Sequence, residues 1–168
     1  MNLVQKVKLS NNIRKAWKRV FASNDPFDDP FQKSVESRLL LYPTEVFYLT
    51  DEQYSAFINT LKEMDEDYFY ASRIEYGGDF LQEGEHWKCR LPKHDDYLST
   101  EMYLESALFS ESGTFGILIS HETHAMAGGS VEFIEYFKIH YPKWRREREE
   151  FSEDWKKDIA DPVLMATA

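Results

Sequence analysis

The 168-residue sequence has little of what disulfide frameworks and membrane spans require. Cys89 is its single cysteine, so no disulfide can form within the chain. It contains no run of about 18 apolar residues that could cross a bilayer. The amino terminus also lacks the apolar stretch and small-residue cleavage site of a secretory signal. We therefore expect a cytoplasmic protein without a membrane span.

Signatures of cofactor binding are also missing. The pairs Gly77-Gly78 and Gly128-Gly129 belong neither to a dinucleotide-binding G-x-G-x-x-G motif nor to a Walker loop. Cys89 stands between two basic residues in a strand-like segment, without the local signature of a nucleophilic cysteine. From these patterns we expect no cofactor and no catalytic residue, and hence a protein that is not an enzyme.

One histidine-containing segment keeps an enzymatic alternative open. His121, Glu122 and His124 resemble the zinc motif H-E-x-x-H, but the histidines are three residues apart, whereas one helical face requires four. The segment reads as a polar turn between strands, and it offers no third ligand. We expect no bound metal, and the alternative function is a small enzyme, such as a hydrolase, that uses this region.

Charge is the most informative bulk property. The chain has 20 Lys and Arg against 30 Asp and Glu, a formal net charge of -10. Residues 1–21 contain six basic residues and no acid, so the other 147 residues have 14 basic and 30 acidic residues, a net charge of -16. Such a body repels nucleic acid and attracts basic proteins. The alternative is that the charge serves solubility alone, as it does in many acidic proteins.

The pattern of apolar residues predicts one α+β domain over residues 1–168. Residues 1–21 place Ile13, Trp17, Val20 and Phe21 at helical spacing, which predicts a basic amphipathic helix, either docked on the acidic body or peripheral. Further helices are predicted at residues 33–41, 51–64, 131–140 and 143–159, and strands at residues 45–49, 68–76, 86–91, 102–109, 114–120 and 124–129. We expect an antiparallel sheet with helices on one face or at the ends.

Four local signals refine this prediction. Thr50 and Gln53 form a capping box at the start of one helix, and Ser130 is placed to cap another. Gly113 lies between two predicted strands and is expected at positive φ in a hairpin. Gly129 is expected to let the last strand turn into the following helix.

Residues 104–142 show a familiar sequence pattern, which includes ALFSESGTFGILISHETHAMAGGSVEFIEYFKIHYP. It resembles the immunity proteins of bacterial polymorphic-toxin and contact-dependent inhibition systems, over about 40 of the 168 residues. The resemblance implies a non-enzymatic protein that neutralises a toxin by tight binding, often through an acidic face. It assigns no binding residues to this sequence.

These observations predict a cytoplasmic binding protein, and most specifically an immunity protein with a basic protein partner. A regulatory interaction module unconnected with toxins is a further alternative. The predicted docking residues are two groups of carboxylates, each beside an aromatic residue: Glu63, Asp65, Glu66 and Asp67 with Tyr68, and Asp95 and Asp96 with Tyr97.

Overall fold

The computed structural model of the chain describes residues 2–74, 81, 85–103 and 105–155. Within these ranges the strands are β1 (Val4–Val7), β2 (Ser37–Leu41), β3 (Phe69–Ile74), β4 (His86–Cys89), β5 (Glu105–Phe109), β6 (Phe115–Ile119) and β7 (Ala125–Gly129). The helices are α1 (Asn11–Val20), α2 (Asp51–Glu63), α3 (His94–Tyr97), α4 (Val131–His140) and α5 (Trp144–Trp155). No helix among the described residues is long and apolar enough to cross a membrane.

All seven strands belong to one antiparallel sheet, in the order β1-β4-β3-β5-β6-β7-β2. Strands β5, β6 and β7 follow one another in sequence and in space, as short connections favour. The predicted α+β class with an antiparallel sheet is confirmed.

Helices cover both faces of this sheet. On one face, which we call the first face, α2 and α4 pack on the sheet through Phe57, Leu61, Phe133 and Phe137. On the opposite, second face, α1 contributes Ile13, Trp17 and Val20 to a separate core, and α5 contributes Phe151. The prediction of helices on one face or at the ends was therefore too narrow, because the sheet buries apolar side chains on both sides.

The first twenty residues contain a strand that the sequence did not reveal. β1 pairs with β4, with Val4 opposite Cys89, at the edge of the sheet. The helix begins only at Asn11, where Ser10 Oγ accepts a hydrogen bond from the Ile13 amide at 3.3 Å. The predicted basic amphipathic helix is thus present across about half of its predicted length, and its apolar residues pack into the core of the second face.

Two predicted elements were wrong. Residues 37–41, predicted as part of a helix, form β2, whose consecutive leucines face alternate cores: Leu39 and Leu41 the first, Leu40 the second. A run of apolar residues that is buried on both faces shows neither the spacing of an amphipathic helix nor the apolar–polar alternation of a half-buried strand. Residues 45–49, predicted as a strand, instead reverse direction, because Glu45 and Tyr48 exchange backbone hydrogen bonds of 2.8 and 3.1 Å.

The predicted helix caps are confirmed. Thr50 and Gln53 form the complete capping box of α2, and Ser130 Oγ accepts from the Phe133 amide at 3.1 Å to cap α4. Gly113 has φ 85 in the β5–β6 connection, as predicted. Residues 75–80, 82–84 and 156–159, which include predicted strand, loop and helix ends and the pair Gly77-Gly78, lie outside the described residues.

Candidate functional site

Charge is distributed unevenly over the two faces of the sheet, although Lys143 also lies beside α2, where it pairs with Glu52. α1, on the second face, carries Arg14, Lys15, Lys18 and Arg19 and no acid. Residues 45–67, which include α2 on the first face, carry seven acids and one lysine. We call the exposed carboxylates on this side the acidic face: Glu45, Asp51, Glu52, Glu63, Asp65, Asp67, Asp95 and Asp96.

The first predicted cluster lies where α2 ends. Asp65, at φ 54, leaves the helix, and the Glu66 amide returns to the Leu61 carbonyl oxygen at 2.9 Å. Asp65 and Asp67 are exposed, and the Glu63 carboxylate lies 3.0 Å from Nε2 of His140. These carboxylates are accessible to a partner.

Glu66 behaves differently from its neighbours. It is half-buried, and burial raises the pKa of its carboxyl, an effect that a hydrogen bond with Thr114 opposes. Reversing its charge would therefore disturb the contact with the β5–β6 hairpin as well as the surface. Of the carboxylates in this predicted docking cluster, Glu66 is therefore less accessible to a partner than the exposed Asp65 and Asp67.

Tyr68 is engaged within the chain. Its ring packs against the second core, with Nζ of Lys88 4.0 Å from the ring centroid. Its hydroxyl donates a hydrogen bond to the Glu111 carboxylate. The ring thus lies under a basic side chain on the face opposite α2, a position that does not fit an anchor beside the acidic cluster.

The second predicted cluster surrounds α3. Asp95 and Asp96 are exposed, but Tyr97 is fully buried and its ring stacks on Tyr54 with centroids 4.7 Å apart. Burial raises the pKa of the Tyr97 hydroxyl well above its usual range, and this hydroxyl accepts from the Leu49 amide at 3.3 Å. Tyr97 belongs to the first core, so the prediction that it anchors a partner was wrong.

The two clusters lie at opposite ends of α2. His94 of α3 is 3.6 Å from the Asp51 carboxylate at the start of the helix, whereas Glu63 is the last helical residue. At 1.5 Å per residue these ends are about 18 Å apart. A groove of about 340 Å³ runs between α2 and residues 91–94, with Asp51, Ile58, Lys62 and His94 in its lining.

The histidines of the alternative site do not converge. Nδ1 of His121 is 2.9 Å from Oε1 of the buried Glu105, and Nε2 is 3.6 Å from Oε1 of Glu122. His124 is fully buried, donates from Nε2 to the Pro26 carbonyl oxygen at 2.7 Å, and packs on Phe27. Burial lowers the pKa of its imidazole, which favours the neutral form.

Cys89 does not have the environment of a nucleophile. It is buried in the first core, and burial raises the pKa of its thiol to about 12. His86 is three positions away in β4, so the two side chains point to opposite faces. No group of three or more potential metal ligands occurs among the described residues.

Two polar contacts were not visible in the sequence. His86 Nδ1 lies 2.8 Å from Ser72 Oγ, with both side chains buried between neighbouring strands. Glu147 Oε1 accepts from the Tyr141 hydroxyl at 2.8 Å and faces Gln53 Nε2 at 3.4 Å. Both contacts join residues whose proximity is set by strand register or helix packing, for which the sequence carries no local signal.

Comparison with known proteins found no matching family model, no matching curated protein and no matching solved structure.

Proposed function

We propose that this chain is a non-enzymatic binding protein that captures a basic protein partner in the cytoplasm of a bacterium. The single observation that carries the proposal is the acidic face. Eight exposed carboxylates lie on α2, α3 and their flanking loops, while the basic helix α1 is docked on the other side of the sheet.

This separation matters because charge acts at long range only where charges of the opposite sign do not cancel it nearby. Exposed charges are screened over about 8 Å at physiological ionic strength. The sheet and two packed cores lie between α2 and α1. Nine acids in residues 45–67 and 93–97 outnumber Lys62 and Lys93 there, so this side presents a net negative potential to an approaching protein. Such a potential accelerates the encounter with a basic partner and disfavours nucleic acid.

We further propose that the partner is a toxin and that the chain acts as its immunity protein. Support comes from the resemblance of residues 104–142 to immunity proteins. The described part of this segment forms β5, β6, β7 and α4, a structural core that carries no chemistry of its own. In this account the scaffold holds α2 in place, and the acidic face covers the basic surface with which the toxin acts.

A pull-down from the source cell, with mass spectrometry and a growth assay, tests this function. We expect a basic protein to be recovered at 50 mM salt and lost at about 500 mM, and its expression alone to stop growth unless this chain is present. Recovery of no basic partner, or a partner that is harmless to the cell, would contradict the immunity proposal. A harmless but specific basic partner would favour a regulatory module.

One observation favours a second candidate, a small hydrolase. The buried carboxylate of Glu105 orients the half-exposed ring of His121 through a 2.9 Å contact, an arrangement that suits a general base. A general hydrolase screen with His121→Ala as its control tests this. Turnover by the wild type that the variant loses would favour the enzyme.

A further inference from the structure

A two-residue turn projects from the acidic face. Glu45 and Tyr48 pair across it, and Val46 and Phe47 form its tip. Val46 has φ 55, the left-handed region that the first tip position of such a turn normally fills with glycine. A β-branched side chain is strained there, since its Cβ crowds the following carbonyl oxygen.

The strained residue contributes nothing to the core. The side chain of Val46 is 45% exposed, and that of Tyr103, nearby in the fold, is 57% exposed. The Tyr103 ring lies 6.4 Å from the ring of Phe47, which packs against the first core. Val46, Phe47 and Tyr103 together form an apolar patch at the surface, which we call the tip patch.

The tip patch is held rigidly. Ser106 Oγ donates to the Phe47 carbonyl oxygen at 2.7 Å, and the Tyr48 hydroxyl donates to the carbonyl oxygen of Thr100. His94 Nε2 lies 2.9 Å from the Leu49 carbonyl oxygen. The turn is thereby fixed to α3 and to the segment that leads into β5, so an incoming partner would find it preformed.

The charges around the tip patch indicate what would cover it. Residues 42–52 and 93–103, which these bonds join, contain one lysine, Lys93, and six acidic residues: Glu45, Asp51, Glu52, Asp95, Asp96 and Glu101. Within the part of the chain that the structure describes, one of these six pairs with a lysine: the Glu52 carboxylate lies 2.6 Å from Nζ of Lys143. Glu45 is next to Val46 in the chain and Glu101 is two residues from Tyr103. An apolar patch with carboxylates beside it matches an apolar side chain flanked by Lys or Arg.

We propose that the tip patch is the apolar anchor point for the basic protein partner, where it receives an apolar side chain flanked by basic residues. This rests on the proposed binding function and locates its centre at the Asp51 end of α2. Backbone strain at Val46 fits this role, because strained backbone conformations cluster at active sites, ligand clamps and switch regions.

Amide chemical shifts of the ¹⁵N-labelled protein, titrated with the peptides KKLKKLKK and octalysine, test the proposal. The leucine-containing peptide should bind more tightly than octalysine and shift the amides of Val46, Phe47 and Tyr103. Val46→Gly should weaken the binding of KKLKKLKK by about fivefold or more, while the Tm of the variant equals or exceeds that of the wild type. Ile139→Ser, which removes another exposed apolar side chain at 70% exposure, should change neither value.

Equal affinity of Val46→Gly and the wild type for KKLKKLKK would overturn the proposal that the tip patch is an anchor point. Amide chemical-shift changes centred away from the tip patch would do the same. If octalysine still bound in a salt-dependent way, the proposed function would survive that result. If neither peptide bound, both proposals would be contradicted.

Discussion

Tyr141 donates a 2.8 Å hydrogen bond to Oε1 of Glu147, which ties the end of α4 to the first turns of α5. Glu147 is only 4% exposed. Burial raises the pKa of its carboxyl, although the hydrogen bonds from the side chains of Tyr141 and Gln53 and from the Tyr42 backbone act in the opposite direction. The folded protein therefore holds the proton to a higher pH than the unfolded chain does.

This predicts a pH-dependent gain in stability for Glu147→Gln. An ordinary Glu ionises near pH 4.3, so above about that pH the unfolded chain loses the proton first, and the free energy of unfolding falls as the pH rises through the raised pKa. Glutamine keeps the acceptor for Tyr141 without the charge. Melting temperatures should exceed those of the wild type at pH 8, by a margin that shrinks towards pH 4.5.

The exposed residue Glu149 of the same helix supplies the control for that experiment. Glu149→Gln removes the same charge from the same helix without relieving a buried carboxylate. Its melting temperature should follow the wild type across the pH range. A margin for Glu147→Gln that grew on acidification would contradict the assignment.

Gly129→Val should destabilise the protein by about 2 kcal/mol, for a steric reason. The Ser130 amide donates to the Thr114 carbonyl oxygen at 3.0 Å, which draws the backbone of β6 close to Gly129. A Cβ at Gly129 would overlap that oxygen, whereas its φ is outside the left-handed region. Thermal unfolding measures the loss. Val131→Ala, at an exposed neighbouring position, should change the melting temperature little. A melting temperature of Gly129→Val equal to that of the wild type would refute the close approach of the two backbones.

Purified protein should contain no stoichiometric metal. His121 faces Glu105, whereas His124 is bonded to the Pro26 carbonyl oxygen inside the second face, so the pair does not present two nitrogens to one ion. Elemental analysis after incubation with zinc checks this. About one zinc or nickel per chain, lost in His124→Ala, would show that these histidines do meet.

The parts of the fold that were predictable are those with local signals. The capping box at Thr50, the cap at Ser130 and the turn at Gly113 each depend on residues within four positions of one another, and each is found. β2 was missed because its leucines are buried on both faces of the sheet, which leaves no local pattern. The turn at Val46 was missed because its backbone conformation is one that valine disfavours.

The candidate site was predictable in its charge and not in its shape. Exposure of Asp65, Asp67, Asp95 and Asp96 follows from polarity. The stacking of Tyr97 on Tyr54, and the position of Tyr68 beneath Lys88, depend on how α3 and β4 dock. Aromatic residues next to carboxylates in sequence can point into either core, so adjacency alone did not identify an anchor.

Reversing charge on the acidic face should slow partner association. Asp65→Lys/Asp67→Lys alters two exposed carboxylates and leaves the half-buried Glu66 in place. We expect the association rate to fall by about tenfold at low salt, with little change in dissociation, because rim charges act mainly on the encounter. The melting temperature should fall by no more than about 5 °C, because Asp67 is exposed, whereas Asp65 has φ 54, which Asp tolerates better than Lys does.

The most direct test of an acidic, partner-binding face compares that variant with Glu36→Lys. Glu36 is exposed beside Val35 of the second core, on the side of α1. The association rate with the partner recovered from the source cell would be measured at 50, 150 and 300 mM salt. The account predicts a steep salt dependence for the wild type and Glu36→Lys and a shallow one for Asp65→Lys/Asp67→Lys. Equal rates and equal salt slopes for all three proteins would contradict it.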